Sequence, residues 1–358
     1  MSEFVIKNRI IGEGYPTYVI AEMSANHAGS IENAKKIIRK AKECGADCIK
    51  IQTYTPDTLT IDCDNEYFAI KNGTWEGENL YSLYGKAYTP WEWQSELKAV
   101  AESLGLDFFS TPFDKTAVDF LESIGIDFYK IASFELVDIP LIEYVASKGK
   151  PIIMSTGMGS YEEINEAVNA VRGQSDESLA LLKCSSAYPA VPDDMNLRTM
   201  QHMSESFNVP VGLSDHSMGS IGAVTAVAMG ACIIEKHFCL SREIDNPDAS
   251  FSMEPDEFKA MVDDIRIAEK AKGIVSYDVS AKEKESMVFR RSIFAVKNIK
   301  KGEAFTEENI RCIRPGKGIK PKYYKEVLNQ IAAQDIKRGT PIQFNLISKR
   351  LEPEGFDV

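Results

Sequence analysis

Short apolar runs that each end in polar or charged side chains constrain this chain more than any other feature. They are Ile20-Ala21-Glu22, Ile49-Lys50-Ile51-Gln52, Tyr129-Lys130-Ile131, Gly212-Leu213-Ser214-Asp215-His216 and Ile233-Ile234-Glu235-Lys236-His237. Apolar runs of this length, separated by helical stretches, read as parallel strands. Unpaired polar groups are costly to bury, so several of them gathered at strand ends imply a shared polar ligand. The pattern reads as an enzyme site.

From Tyr18 to about Lys272 strand and helix alternate. The strand candidates are Tyr18 to Glu22, Asp47 to Gln52, Asp107 to Thr111, Asp127 to Ala132, Pro151 to Ser155, Leu179 to Cys184, Pro210 to Ser214 and Cys232 to His237. Between them lie amphipathic helices. In one, Ala34, Ile37, Ile38 and Ala41 recur at helical spacing, with Ser30 placed as N-cap. Such units, eight in roughly 250 residues, fit a (β/α)₈ TIM barrel better than an open sheet, with the site at the carboxyl ends of the strands.

Two features depart from a minimal barrel. Thr53 to Pro90 is a long insertion rich in aromatics: Tyr67, Phe68, Trp75, Tyr81, Tyr84 and Tyr88, followed by Trp91 and Trp93. It reads either as a lid over the site or as a loop whose rings pack it onto the barrel. After Lys272 the rhythm stops. We expect a barrel domain at 1–272, a linker at 273–287, a small β-rich domain at 288–350 and a tail at 351–358. Within the small domain, Ile299-Lys300-Lys301-Gly302 is echoed by Ile336-Lys337-Arg338-Gly339, which suggests two similar turn-and-strand units.

The bulk numbers narrow the partners. With 358 residues, 44% hydrophobic and 26% charged, the chain has the composition of an ordinary globular protein. A net charge of -12 argues against nucleic acid or an anionic membrane, while the strand-end lysines still offer a local basic pocket. The N-terminal Glu3-Phe4-Val5-Ile6-Lys7 flanks only three apolar residues with charge, and no apolar run is long enough to span a bilayer, so a cytoplasmic location is expected. The seven cysteines are scattered and odd in number, without a CxxC pair, as expected for reduced thiols.

Side chains alternate across a strand, so residues two apart share a face. Lys50 with Gln52, Ser214 with His216, and Glu235 with His237 are such pairs, whereas Lys236 falls on the opposite face. His216 and His237, on adjacent strand ends, read either as two imidazole ligands of one metal or as separate hydrogen-bonded residues; with no Cys at either tip, Mn²⁺ or Mg²⁺ would suit them. Lys50 and Lys130, beside hydroxyls at Thr111, Ser133, Ser155 and Ser214, could hold a phosphate or carboxylate. Glu22 ends an apolar run and is the proton-transfer candidate, with a salt bridge to a barrel lysine as the alternative.

At these residues the chain resembles the sialic acid synthases. The matching stretches are Ala21-Glu22-Met23-Ser24-Ala25-Asn26-His27-Ala28-Gly29-Ser30, Lys50-Ile51-Gln52-Thr53, Tyr129-Lys130-Ile131-Ala132-Ser133, Ser155-Thr156-Gly157, Tyr188-Pro189, Gly212-Leu213-Ser214-Asp215-His216 and Ile234-Glu235-Lys236-His237-Phe238. In the small domain, Arg291-Ser292 and Arg314-Pro315-Gly316-Lys317-Gly318 are similar to that family's antifreeze-like (SAF) domain. The resemblance implies a barrel followed by this domain, a domain-swapped homodimer, and a divalent metal. It also implies condensation of phosphoenolpyruvate with the open-chain aldehyde of an amino sugar.

By the same resemblance His216 and His237 would bind the metal, which would polarise the aldehyde, and Glu22 would manage the proton of the water that adds at C2. Lys50, Gln52, Thr111, Lys130, Ser133, Ser155 and Ser214 would hold phosphoenolpyruvate. Tyr188, Glu235 and Arg314 would place the sugar, with Arg314 acting across the dimer. Ser186 stands where many relatives that make N-acetylneuraminate have Asn. The segments Ala69 to Gly77, Leu80 to Trp93 and Lys50 to Asp57 are similar to the branch that makes pseudaminic acid from 2,4-diacetamido-2,4,6-trideoxy-L-altrose, with legionaminic or N-acetylneuraminic acid as alternatives within the family. Outside it, the residues alone leave open a Schiff-base aldolase using Lys130 and a non-catalytic carbohydrate-binding protein.

Overall fold

A computed structural model describes residues 3–175 and 178–348; the expected tail at 351–358 and the last two residues of the expected small domain lie outside them. The chain divides into two compact units between Gly273 and Ile274. The first opens with an antiparallel hairpin, β1 (Phe4–Ile6) and β2 (Arg9–Ile11), which periodicity did not single out. Eight parallel strands follow: β3 (Tyr18–Glu22), β4 (Cys48–Thr53), β5 (Asp107–Pro112), β6 (Tyr129–Ile131), β7 (Ile152–Ser155), β8 (Leu179–Cys184), β9 (Val211–Asp215) and β10 (Ile233–His237). They close in sequence order, β10 pairing with both β9 and β3.

Alternation along each strand sorts the core into two regions. Outward residues such as Val19, Ala21, Ile49, Ile51, Leu181, Leu213 and Ile234 meet the surrounding helices. Inward residues Ile20, Cys48, Phe109, Ile153, Ala180, Leu182 and Ile233 pack with Phe4, Ile6 and Ile11 of the hairpin, which fills the amino end of the barrel. Each fully buried Ile, Leu or Phe contributes about 1.5–3 kcal/mol. The apolar layers therefore carry the stability, and the carboxyl end is free to hold charge.

The helices begin where the sequence provides caps. For the helix Ile31–Glu43, the Ser30 hydroxyl accepts a hydrogen bond from the Asn33 N–H, and Ala34, Ile37, Ile38 and Ala41 are its buried face. Helix Lys115–Ser123 is capped by Asp114, and Tyr161–Gln174 by a Ser160/Glu163 capping box. The long segment after β4 is not bare loop. It holds the short helices Pro56–Leu59 and Leu80–Ala87, and a turn closed by the Ala69–Asn79 bridge. No helix among the described residues is long and apolar enough to cross a membrane.

In the second unit, part of the stretch expected as linker is helical, Ala281–Ser286, because Ser280 and Glu283 form a capping box. Strands β11 (Ser292–Ala295) and β12 (Ile310–Ile313) pair antiparallel. The two echoed segments meet each other: Ile299 bridges Ile336, and both lie in a core with Ile293, Phe305, Ile310 and Ile342. All seven cysteines of the chain are unpaired.

Candidate active site

Strand register brings the polar tips to one level. His237 lies beside Glu22 and Glu22 beside Lys50, while Gln52 pairs with Thr111 and Glu235 with Ser214. Glu235 is the hub: its Oε1 accepts hydrogen bonds from Lys50 Nζ at 2.9 Å and Ser214 Oγ at 3.1 Å, and Lys130 Nζ is 3.5 Å away. Lys130 donates to Ser155 Oγ at 2.7 Å. The ammonium of Lys50 also approaches Glu22 Oε2 to 2.7 Å, without hydrogen-bond alignment, and Glu22 Oε1 accepts from the Ser24 N–H. The salt bridge weighed as the alternative for Glu22 is thus present.

Both lysines are almost wholly buried, at 4% and 1% exposure. Burial pulls the Lys50 ammonium down to about 8 in spite of Glu235. Burial opposes ionisation of Glu235, but Lys130 and Lys50 outweigh it and hold that carboxyl below its ordinary value. Two lysines therefore share two carboxylates. The buried Thr111 hydroxyl and Glu235 Oε2 have no hydrogen-bond partner in the protein. The Thr111 hydroxyl and the lysine ammonium groups can donate to an anionic, oxygen-rich ligand, whereas Glu235 Oε2 can only accept and suits a hydroxyl or N–H of a ligand.

The opposite side of the mouth is aromatic. Tyr188 stacks on His216 with centroids 4.3 Å apart, His216 and His237 are 5.3 Å apart, and Phe251 lies 5.1 Å from His237. His216 Nδ1 is 3.1 Å from the Ser185 carbonyl, which fixes the ring and leaves Nε2 to face elsewhere. Burial, then the His216 imidazole, push His237 well below its ordinary value, and its buried Nδ1 lacks a protein partner. Two adjacent imidazoles, one with an orphaned nitrogen, fit a divalent ion. Among the described residues no three His, Cys, Asp or Glu side chains converge as ligands, so the fit is to an ion that keeps substrate or water oxygens around it.

Ser133 accepts from the Gly157 N–H at 3.1 Å, and Ser186 lies 3.8 Å from Cys184 Sγ, next to the His216 side. Burial opposes ionisation of the Cys184 thiol, yet His216 beside it brings it down to about 7. Arg314 belongs to the second compact unit and is exposed there. Behind the barrel wall, Lys236 donates to Asp215 Oδ2 at 2.7 Å and to the carbonyls of Ser217 and Gly219, while Ser217 N and Oγ donate to Asp215 Oδ1. His27 is structural: its Nδ1 accepts from the Gly29 N–H, and its ring packs edge-on to Trp93.

Residue patterns missed several groups at the mouth. Glu135, in the turn after β6, has a carboxyl that burial raises to about 7, with Lys130 nearby and Oε2 unpartnered. Asp248, in the loop after β10, is likewise raised by burial and accepts from the Ala25 N–H at 3.2 Å. A carboxylate in the loop directly following a site-bearing strand was the available signal. Trp75, from the long segment after β4, lies 5.6 Å from the Tyr188 ring, and its indole N–H donates to the Pro247 carbonyl at 2.9 Å.

Residues 37–277 match the NeuB family and residues 290–348 match the SAF domain. The chain is 48% identical over 326 residues to a pseudaminic acid synthase of Campylobacter jejuni, covering 91% of this chain and 95% of that protein. It is 43% identical to a pseudaminic acid synthase of Helicobacter pylori, covering 94% and 99%. A solved N-acetylneuraminic acid synthetase from Leptospira borgpetersenii superposes with a TM-score of 0.71 at 31% identity, over 80% of this chain and 95% of that one. A closed eight-stranded barrel followed by a SAF domain, matched in sequence along nearly its whole length, places the chain in the NeuB family.

Proposed function

We propose that the protein is a pseudaminic acid synthase, which condenses phosphoenolpyruvate with 2,4-diacetamido-2,4,6-trideoxy-L-altrose and releases phosphate. One observation carries this reading: a single barrel mouth joins a floor of buried lysines and hydroxyls to a wall of imidazoles and aromatic rings. The first half suits a small phosphorylated acid, the second a sugar aldehyde with apolar substituents. The relatives named above support the choice of sugar.

In this reading Lys50, Gln52, Thr111, Lys130, Ser133, Ser155 and Ser214 hold the phosphoenolpyruvate anion through ammonium, amide and hydroxyl donors. His216 and His237 hold a divalent ion, Mn²⁺ or Mg²⁺, which supplies polarisation of the aldehyde oxygen. C3 of phosphoenolpyruvate bonds to the aldehyde carbon, whose oxygen takes a proton to become a hydroxyl; water adds at C2, and the C2–O bond to phosphate breaks as the new C2 hydroxyl gives up its proton, leaving the 2-keto acid and phosphate. Glu22, fixed by Lys50 and the Ser24 N–H, takes up the proton of that water. Tyr188, Ser186 and Glu235 orient the sugar. The active protein is a cytoplasmic, domain-swapped homodimer in which Arg314 reaches the partner's sugar.

Phosphate release from phosphoenolpyruvate by the purified protein tests this. The altrose derivative, its legionaminic precursor and N-acetylmannosamine are compared, and the product is weighed by mass spectrometry. Release with the altrose sugar, abolished by EDTA and restored by Mn²⁺, is expected. Preference for another sugar would move the substrate within the family. Trapping of pyruvate on Lys130 by borohydride, with activity surviving EDTA, would overturn the mechanism.

A further inference from the structure

Trp75 sits at a turn of the long segment after β4, where the Gly77 N–H donates to the Ile70 carbonyl and the Ile70 N–H donates to the Glu78 carbonyl, each at 2.9 Å. It is latched at two points. Its indole N–H donates to the Pro247 carbonyl, next to the buried Asp248, and the neighbouring Thr74 hydroxyl donates to the Tyr188 carbonyl at 2.6 Å. The ring thereby meets Tyr188 at 5.6 Å and Phe251 at 6.4 Å, and those two rings flank His216 and His237. Trp75 and Tyr188 are half-buried and Phe251 is buried. Because Pro247 already takes its N–H, the indole has no donor left and offers only apolar ring surface.

We propose that Trp75 is a specificity-determining residue: with Tyr188 and Phe251 it forms a wall that receives the methyl and N-acetyl groups of the deoxy sugar. The inference rests on the function proposed above and names the part of the site that selects the sugar. A hydroxyl in place of the methyl would leave water for a ring face that cannot bond to it. The lysine floor is not part of this wall, so Trp75 acts on the sugar and not on phosphoenolpyruvate.

The test measures kcat and KM by phosphate release for wild type, Trp75→Ala and Trp75→Phe. The sugars are the altrose derivative and the same sugar carrying a hydroxyl at C6. Trp75→Ala is expected to raise KM for the deoxy sugar about tenfold and to erode its advantage over the hydroxylated one, while KM for phosphoenolpyruvate moves less than twofold. Trp75→Phe, which keeps a ring but loses the indole bond, should retain most of the preference. Equal losses for both sugars, a matching rise in KM for phosphoenolpyruvate, or a Phe variant as impaired as Ala would overturn the assignment. Those results need a wild type active on the altrose sugar; a wild type inactive on it would fail the proposed function itself, and this assignment with it.

Discussion

Lys236→Met probes whether the ion pair behind the barrel wall sets the position of the two histidines. Asp215 and Lys236 alternate with His216 and His237 on adjacent strands, so they face outward while the imidazoles face the mouth. Lys236 is 1% exposed and bonds three acceptors: Asp215 Oδ2 and the carbonyls of Ser217 and Gly219. Burial pulls this ammonium below its ordinary value even with Asp215 beside it, which shows how dry the position is. Removing one partner of such a pair costs about 3–5 kcal/mol, because the other charge stays buried. For a unit of 273 residues this lowers Tm by about 5–9 °C. The strand ends also loosen, so the Mn²⁺ concentration for half-maximal activity should rise about tenfold, as for other groups that orient ligands. Thermal unfolding and Mn²⁺ titration of phosphate release read both effects. The double variant Asp215→Leu with Lys236→Met should recover much of the stability. A drop in Tm below about 2 °C, less than the smallest loss a broken buried pair predicts, would refute the energetic argument. A large drop with an unchanged Mn²⁺ requirement would refute the positional one.

Two further outcomes follow from the geometry. Glu135 is raised by burial from 4.5 to about 7, so the folded protein holds this proton more tightly than the unfolded chain does. Its stabilising contribution is complete below pH 4.5 and is lost as pH rises towards 7, a change of about 3 kcal/mol. Glu135→Gln should flatten that part of the stability–pH curve, and an unaltered curve would exclude Glu135 as its source. At Gly157 an added Cβ would lie 2.2 Å from Ser186 Oγ and 2.7 Å from Ser133 Oγ. Gly157→Ala should therefore cost about 1–3 kcal/mol and raise KM for phosphoenolpyruvate by displacing Ser133; an unchanged KM would remove Ser133 from the anion site.

Much of the barrel was legible because its code is local. The runs at Tyr18, Leu179 and Cys232 start or end within a residue of the observed strands, since a strand buried on both faces must be apolar until it reaches the mouth. Parity alone set Lys50, Ser214 and Glu235 inward and Lys236 outward. The hairpin at Phe4–Ile11 was not legible, because three-residue strands carry no period and gain their stability only from the barrel floor they cover.

What the sequence by itself determined is therefore which side chains stand at the strand tips and which way they face. Only the tertiary structure decided which of them pair. Glu235 could have met any neighbouring cation, and closure of β10 onto β3 and β9 gave it Lys50 and Lys130. Thr74 and Tyr188 are joined across 114 positions by one hydrogen bond, and Glu135 and Asp248 gain their raised carboxyls only from the mouth that buries them. Periodicity reports the few residues of one turn or strand, whereas contact and desolvation depend on segments that the chain brings together only when the barrel closes.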